Sequence, residues 1–249
     1  MKLVASDFDG TLYRNGTVTE EEKQAISQWR KNGNLFGVVT GRNYRFLRAD
    51  LDGFNIEYDF IISTNGALIR DNEENVVQSS EGDISVAKEI LDLVIQNNAI
   101  WFEMMYLDSY AREAIPLRKP TDELVPNEEI LKEANYFHQL SCTIPDVNRG
   151  LELTAEINER YKGKLSAYSL IYGKNTNIDI VKYGTSKASA LYDYAKLKGI
   201  DPKNIITVGD NFNDIPMIKE FDGYIMSSAI EEVKRLATKT CDTLCDILK

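Results

Sequence analysis

The sequence predicts an α/β fold with a mainly parallel central sheet, and two observations support it. Apolar runs of four or five residues recur in the first and last parts of the chain, each followed by a polar turn and a helical pattern. Uninterrupted apolar strands of this kind are typical of a parallel sheet covered by helices on both faces. The middle of the chain replaces this alternation with mixed strands and helices, which predicts an inserted α+β domain.

The N-terminal block, residues 1–80, alternates strands and helices. The first helix begins with Thr19-Glu20-Glu21-Glu22, which matches a capping box, and Gly33 fits its C-terminal stop. The predicted elements are strand Leu3–Ser6, a helix over about Thr19–Asn32, strand Leu35–Val39, a helix over Asn43–Leu51 and strand Phe60–Ser63.

The C-terminal block, residues 183–249, resumes the same alternation. Its predicted elements are a helix over Lys187–Lys198 that stops at Gly199, strand Ile205–Val208, a helix over about Asp214–Glu220, strand Tyr224–Met226 and a helix over Ile230–Ala237. We therefore expect residues 1–80 and 183–249 to form one core domain.

Residues 81–182 have a different pattern, with a helix at Ile84–Gln96 and extended, aromatic stretches at Ile100–Leu107, Tyr136–Ile144 and Leu165–Tyr172. We interpret this segment as a cap domain inserted into the core, with hinges near Glu81 and Lys182. The acidic Glu73-Glu74 pair and the stretch Arg118–Glu129 are predicted to be solvated loops.

Composition limits the classes of function. The 249 residues carry a net charge of −10, which argues against partners that need a basic surface, namely nucleic acid and anionic membranes. No apolar run approaches the roughly 18 residues of a membrane-spanning helix. The first strand meets Asp7 too early to leave room for the apolar core of a signal peptide. We expect a cytoplasmic protein that is a monomer or a weak homodimer.

The small numbers of cysteine and histidine residues limit the chemistry that these side chains could carry out. The three cysteines, Cys142, Cys241 and Cys245, suggest reduced thiols, and Cys241 and Cys245 have no nearby histidine to complete a zinc site. His138 is the single histidine, and no nucleophile motif accompanies it, which argues against a Ser-His-Asp triad.

Four short stretches carry the candidate chemistry. Three of them follow predicted strands and one opens a predicted helix. They are Asp7-Phe8-Asp9-Gly10-Thr11, Thr40-Gly41-Arg42, Lys187 after Gly184-Thr185-Ser186, and Gly209-Asp210-Asn211-Phe212-Asn213-Asp214. Because ligands of open parallel sheets bind at the carboxyl ends of the strands, we expect these stretches to converge on one site.

In this order the four stretches resemble the haloacid dehalogenase superfamily of phosphohydrolases, and the chain looks most like its Cof-type sugar-phosphatase branch with a type IIB cap. The resemblance covers nearly the whole chain. It implies a Rossmann-like three-layer core and a cap that determines specificity. It also implies a Mg²⁺-dependent phosphatase that hydrolyses a small phosphorylated metabolite, with a sugar phosphate as the first candidate, through an aspartyl-phosphate.

The resemblance assigns the catalytic carboxylates. Asp7 takes the position of the nucleophile, and Asp9 that of the general acid and then the general base. Without the other stretches, two aspartates before Gly10 would indicate only a turn. Lys187 takes the position of the lysine that balances the charge of nucleophile and phosphoryl group, although most single lysines on helices are solvated.

The same carboxylates suggest a metal site, because an acidic protein that binds an anionic substrate needs a local cation. Mg²⁺ prefers oxygen ligands, which Asp7, the backbone carbonyl of Asp9, Asp210 and Asp214 would supply. Asp214 contacts the ion directly or supports it through a neighbour, and it also fits the cap of the following helix. Asn213 is expected to orient the phosphate or the Asp7 carboxylate.

Further residues are assigned to substrate with an alternative left open. The Thr40 hydroxyl and the backbone amides from Gly41 onward suit a phosphate oxygen, although Thr-Gly-Arg alone indicates only a loop. Arg42 either reaches the substrate or flanks the helix. Asn65, in the segment Ser63–Ala67, contacts the substrate or forms a turn. In the cap, Trp101, Phe102 and Tyr106 form a ligand-facing patch or, for most of them, part of a sheet core.

Two other functions stay open. One is a phosphosugar mutase similar to phosphomannomutase, which moves a phosphoryl group within a sugar. The other is a non-catalytic regulatory protein with the same fold, against which the intact set of acidic and basic motif residues argues.

Overall fold

A computed structural model describes residues 1–105, 114–115 and 134–249, which form two compact units. Unit 1 comprises Met1–Ser79 and Ser186–Lys249, and unit 2 comprises Ser80–Thr185. The second boundary lies three residues beyond the one expected from the sequence. The backbone N–H of Tyr183 donates to the Lys164 carbonyl (2.9 Å) and that of Thr185 to the Lys182 carbonyl (3.0 Å), which holds residues 183–185 in unit 2.

The strands, numbered in chain order, are β1 Leu3–Ser6, β2 Leu35–Val39, β3 Phe60–Ser63, β4 Leu68–Asp71, β5 Val76–Ser79, β6 Gly82–Asp83, β7 Trp101–Met105, β8 Ala114–Ile115, β9 Tyr136–Phe137, β10 Gln139–Ile144, β11 Leu165–Tyr172, β12 Asn175–Lys182, β13 Ile205–Gly209, β14 Tyr224–Met226 and β15 Lys239–Cys241. The α-helices are α1 Glu20–Lys31, α2 Tyr44–Gly53, α3 Ser85–Gln96, α4 Val147–Arg160, α5 Lys187–Leu197, α6 Ile215–Glu220 and α7 Glu231–Lys234.

Unit 1 is built on one sheet with the strand order β15-β14-β13-β1-β2-β3-β4-β5. The pairs from β15 to β3 are parallel, and the β4–β5 hairpin adds an antiparallel edge. Alternate residues of β1 enter different apolar clusters, because successive side chains point to opposite faces. Leu3 packs in one cluster with Leu191 of α5, and Val4 packs in another with Leu47 of α2. The mainly parallel α/β sheet predicted from the apolar runs is confirmed.

Local signals explain several element ends. The Thr19 side chain accepts from the N–H of Glu22, whose side chain reaches back to the Thr19 N–H, so the predicted capping box is present. Gly33 follows α1 with a φ of +78°, as a helix stop requires. The predicted helix over Ile230–Ala237 is wrong in extent, because only Glu231–Lys234 is α-helical. Helix α4 was not expected from the sequence, because Gly150 interrupts its helical pattern.

Unit 2 contains an antiparallel sheet in the order β11-β12-β10-β7-β8 and a short β6–β9 pair. One face of the larger sheet packs on α3 and α4 in a single apolar cluster that includes Ile90 and Leu153. Phe102 belongs to this cluster and is 1% exposed, so it is a core residue of unit 2. Tyr106, proposed with it as part of a patch, and the predicted loop Arg118–Glu129 lie outside the described residues.

Among the helices of the described ranges, none combines the length and apolar character needed to cross a membrane. Cys142 and Cys241 are buried, Cys245 is partly exposed, and all three are free thiols.

Candidate active site

The end of β1 places Asp7 beside the end of β13. The N–H of Asp7 donates to the carbonyl of Val208 over 2.9 Å, which continues the parallel pairing of the two strands. Gly10 then turns the chain with a φ of +81°, and a Cβ at Gly10 would lie 2.4 Å from Oδ2 of Asp210. Only glycine therefore fits this close approach. The hydroxyl of Thr11 donates to Oδ1 of Asp210 over 2.9 Å and ties the two loops together.

Lys187 is the first residue of α5 and its side chain is only 1% exposed. The helix start is fixed by Ser186, whose hydroxyl accepts from the N–H of Ser189 over 3.0 Å. The Lys187 Nζ donates to Oδ1 of Asp7 and to Oδ1 of Asp214, at 2.6 Å in both cases. Because most lysines keep their ammonium group in water, burial between two carboxylates sets this one apart.

Asp214 joins the lysine to the loop after β13. Its Oδ2 accepts from the backbone N–H groups of Asp210 and Asn211, at 3.0 Å each. Its other oxygen bonds Lys187. Asp214 therefore holds the loop and the ammonium group at the same time. It directly precedes α6, but its side chain makes no capping hydrogen bond to that helix, so the cap expected from the sequence is wrong.

The charges of the site perturb one another. Burial raises the pKa of Asp7 well above its ordinary value, with Lys187 opposing the shift and Asp214 adding to it. Burial and the nearby Asp214 raise the pKa of Asp210 to about 7. Burial disfavours a charged Lys187, but Asp214 and Asp7 outweigh it and raise the pKa of this ammonium group. The site thus concentrates more negative charge than its one lysine neutralises.

The same carboxylates form a group suited to a cation. One oxygen each from Asp7, Asp210 and Asp214 lie within 4.8 Å of one another. All three donors are hard carboxylate oxygens, the type preferred by Mg²⁺. The raised pKa of Asp7 and Asp210 fits this assignment, because a divalent cation would offset the mutual repulsion that contributes to it. The donor set therefore fits the predicted metal.

Asp9 points to a different partner. Arg42 holds its carboxylate with two bonds, Nε to Oδ2 at 2.6 Å and Nη2 to Oδ1 at 2.5 Å. The same guanidinium donates to Asp50 and lies 4.8 Å from the ring centre of Phe8. Arg42, predicted to contact substrate or flank a helix, thus contacts the residue predicted to be the general acid.

The loop after β2 is tightly turned. Thr40 is 2% exposed, and its Oγ1 accepts from the N–H of Arg42 over 3.1 Å. Asn43 caps α2 by accepting from the N–H of Arg45. The helix therefore begins after Asn43 and not at Gly41, and one amide predicted to face phosphate is occupied by Thr40.

Asn65 and Asn213 lie together although they come from different loops. Nδ2 of Asn213 donates to Oδ1 of Asn65 over 3.0 Å, and the two residues are 4% and 1% exposed, respectively. The structure therefore brings all predicted site residues into unit 1 and connects most of them. Thr11, Asp50 and Thr64 were not assigned a role from the sequence, and no local pattern signals their contacts.

Comparison with known proteins gives consistent results. The model of a family described as haloacid dehalogenase-like hydrolases matches residues 4–246. Two relatives from Bacillus subtilis (strain 168), YwtE and YcsE, are both described as 5-amino-6-(5-phospho-D-ribitylamino)uracil phosphatases. YwtE is 27% identical to this chain, and the match covers 96% of this chain and 92% of YwtE. YcsE is 26% identical, and the match covers 98% of this chain and 90% of YcsE.

Solved structures share the fold. A haloacid dehalogenase-like hydrolase from B. subtilis matches with a TM-score of 0.77 at 23% identity, covering 96% of this chain and 94% of the other. The subclass IIB sugar phosphatase BT4131 matches with a TM-score of 0.75 at 20% identity, covering 99% and 95%.

Proposed function

The chain belongs to the haloacid dehalogenase-like hydrolases and is a phosphatase of the Cof type, and we propose that it hydrolyses a small phosphorylated metabolite through an aspartyl-phosphate on Asp7. The observation that carries this proposal is the buried set Asp7–Lys187–Asp214, with an oxygen of Asp210 close enough to share a cation with the two aspartates. No other group in the described part of unit 1 combines a buried lysine with three converging carboxylates.

Mg²⁺ is the cofactor that we propose, held by Asp7, Asp210 and Asp214, with the backbone carbonyl of Asp9 as a further ligand. When bound, it supplies positive charge to the phosphoryl oxygens and to the crowded carboxylates. Asp7 can then be an ionised carboxylate at neutral pH despite its burial.

The protein's own groups account for both half-reactions. An oxygen of Asp7 attacks phosphorus and forms an O–P bond as the bond to the leaving oxygen breaks. Asp9 donates a proton to that oxygen, and in the second step it accepts a proton from the water that attacks phosphorus and releases Asp7. Lys187 keeps its proton throughout and offsets negative charge on Asp7 and the phosphoryl group. Asp9 must leave Arg42 to act in this way.

Phosphate contacts are proposed for the remaining motif residues. The Thr40 hydroxyl, the Gly41 backbone and the Asn213 amide come from loops that also hold Arg42 and Asp214. A phosphate bound there would receive neutral donors in addition to the charge of Lys187.

We assign recognition of the leaving group to unit 2, the inserted domain. One face of its sheet has a polar row in which Glu103, Ser141 and Asp179 are direct cross-strand neighbours. Ser141 donates to Asp179 over 2.7 Å, and Glu103 and Asp179 are 8% and 7% exposed. Buried acceptors of this kind favour a leaving group that carries hydroxyl or amine donors.

A sugar phosphate or sugar-alcohol phosphate fits these requirements. It carries hydroxyl donors of the kind that buried acceptors bind, and it is a phosphomonoester, as the proposed reaction on Asp7 requires. The relatives support the choice, because YwtE and YcsE are described as acting on a ribityl phosphate and BT4131 as a sugar phosphatase.

A screen of phosphorylated metabolites with Mg²⁺, ranked by kcat/KM, tests the proposal. Sugar and sugar-alcohol phosphates should rank first, and Glu103→Gln should lower their kcat/KM while sparing p-nitrophenyl phosphate. A mutase would instead isomerise a sugar phosphate when a sugar bisphosphate is added. A non-catalytic protein would turn over none of the panel, including p-nitrophenyl phosphate, and that result would refute the proposal.

A further inference from the structure

The turn Thr64–Gly66 has a strained backbone inside unit 1. Thr64 has a φ of +50° and Asn65 one of +49°, so two consecutive residues other than glycine adopt the left-handed conformation. For a β-branched residue such as threonine this conformation is an outlier with a steric cost. The two residues are 2% and 1% exposed, so solvent does not stabilise the turn. Strain of this type persists where surrounding contacts determine the conformation.

Those contacts reach three separate loops of the candidate active site. The N–H of Thr64 donates to the carbonyl of Arg42 and the N–H of Asn65 to that of Thr40, both over 3.0 Å. A Cβ at Gly66 would lie 2.2 Å from the carbonyl oxygen of Ser186, the residue that caps the helix of Lys187. The turn therefore packs against the Thr40 loop and the start of the Lys187 helix.

The third contact is made by the Asn65 side chain. Its Oδ1 accepts from Nδ2 of Asn213, so it fixes the amide end of that side chain. Oδ1 of Asn213 is buried and has no hydrogen-bond partner in the described ranges. An unsatisfied buried acceptor is energetically unfavourable, and such a group needs an explanation. Asn213 is thus held in one orientation, with Nδ2 directed at Asn65 and Oδ1 left as an unpaired acceptor among the described residues.

We propose that Asn65 is a positioning residue that acts through Asn213, and that the strained turn holds Asn213 in the orientation used during phosphoryl transfer. This inference rests on the proposed function. It replaces the sequence-based expectation that Asn65 contacts the substrate, because its side chain is buried against Asn213. The strain at Thr64 is then a consequence of fixing three loops with one short turn.

A double-mutant cycle separates the two roles of Asn65. Asn65→Gly keeps the left-handed backbone accessible and removes the side chain that bonds Asn213. We expect it to lower kcat about tenfold or more while KM changes little, since small displacements of positioning groups affect the reacting geometry. Asn213→Ala should give a similar or larger loss, and the double variant should be no slower than Asn213→Ala alone.

Asn55→Gly is the matched control, because Asn55 also has a left-handed backbone, with a φ of +56°, but is exposed after α2. Its kcat should stay at the wild-type value. Losses that multiply in the double variant, a raised KM with unchanged kcat in Asn65→Gly, or wild-type kcat in that variant would each overturn the proposal.

Hydrogen exchange of the Asn213 side-chain amide gives a readout independent of turnover. By NMR, these protons should exchange slowly in the wild type and in Asn55→Gly, and much faster in Asn65→Gly. Equal exchange rates in all three proteins would overturn the positioning role. Absence of phosphatase activity in the wild type would refute the proposed function, and the exchange rates would still decide whether Asn65 fixes Asn213.

Discussion

Lys187 lies between Asp7 and Asp214, with its ammonium nitrogen 2.6 Å from one oxygen of each. A buried charge is tolerated when it is paired and hydrogen-bonded, and here one lysine faces two carboxylates with a third, Asp210, nearby. The sequence motifs singled out Lys187, and the carboxylates stabilise its buried positive charge. Lys187 in turn stabilises their negative charge.

Replacing the attacking carboxylate gives the first residue-scale prediction. Asp7→Asn should lower kcat for p-nitrophenyl phosphate by at least about a thousandfold, because an amide is not a nucleophile of this kind. The melting temperature of the metal-free protein should not fall, because burial of the Asp7 charge and its repulsion from Asp214 and Asp210 outweigh its attraction to Lys187. Asp222→Asn, which removes the same charge from an exposed ion pair with Lys239, is the control and should keep normal kcat. Near-normal turnover by Asp7→Asn would exclude the covalent route.

Asp9 allows a second test that depends on the leaving group. If Asp9 protonates the leaving oxygen, Asp9→Asn should slow release of an alkoxide far more than release of p-nitrophenolate, which needs little protonation. Pre-steady-state rates of the first half-reaction on both ester types would measure this. An equal loss on both would argue against the acid role.

Prediction from sequence succeeds at residue scale where the signal is local. Asp7, Thr40 and Asp210 end or follow apolar strands, so their convergence could be predicted. The hydrogen bond between Asn65 and Asn213 joins residues 148 positions apart. It could not be predicted, because no local pattern encodes it. The left-handed backbone of Thr64 could not be predicted from the sequence either, because threonine rarely adopts this conformation.

At the scale of elements, strands and helices bring the loops of unit 1 to one edge of the sheet. Strands β1, β2 and β13 are parallel neighbours, so the loops that follow them emerge at the same edge. The β4–β5 hairpin and α4 were missed because the first is an edge hairpin with mixed residues and the second contains Gly150. Apolar periodicity predicts central elements better than edge elements, because edges bury less surface.

The polar row of unit 2 predicts a pH dependence of stability. Burial and Asp179 raise the pKa of Glu103 from 4.5 to about 7. Between these values the folded state retains a proton that the unfolded state has lost, so stability should fall as pH rises from about 4.5 to 7. At roughly 1.4 kcal/mol per pH unit, the loss is at most about 3.5 kcal/mol.

Glu103→Gln should remove this loss, while Glu152→Gln, which changes an exposed glutamate of α4, should retain it. Unfolding of unit 2 can be followed by fluorescence of Trp101 in a Trp29→Phe background, since these are the two tryptophans of the chain. The same pH dependence in all variants would show that Glu103 does not titrate near neutrality.

For the whole molecule, the net charge of −10 makes binding of an anion dependent on local charge. We predict that EDTA abolishes activity, that Mg²⁺ restores it, and that Ca²⁺ inhibits because its looser geometry misplaces Asp7. Mg²⁺ should also raise the melting temperature of the wild type by binding the folded state. This gain should be lost in Asp210→Asn, whereas Asp222→Asn should keep it. Full activity in metal-free buffer would contradict the account.

The cytoplasmic location and the monomeric or weakly homodimeric state stay predictions.

Trapping the intermediate tests the central claim most directly. Asp9→Asn should slow hydrolysis of the aspartyl-phosphate but largely spare its formation from p-nitrophenyl phosphate, whose leaving group needs little protonation. An acid quench after mixing with Mg²⁺ and p-nitrophenyl phosphate should therefore leave protein heavier by one phosphoryl group. Peptide mass spectrometry should locate that group on Asp7, and hydroxylamine should remove it. Labelling at another residue, or turnover by this variant without any labelled protein at the earliest quench times, would contradict the proposed mechanism.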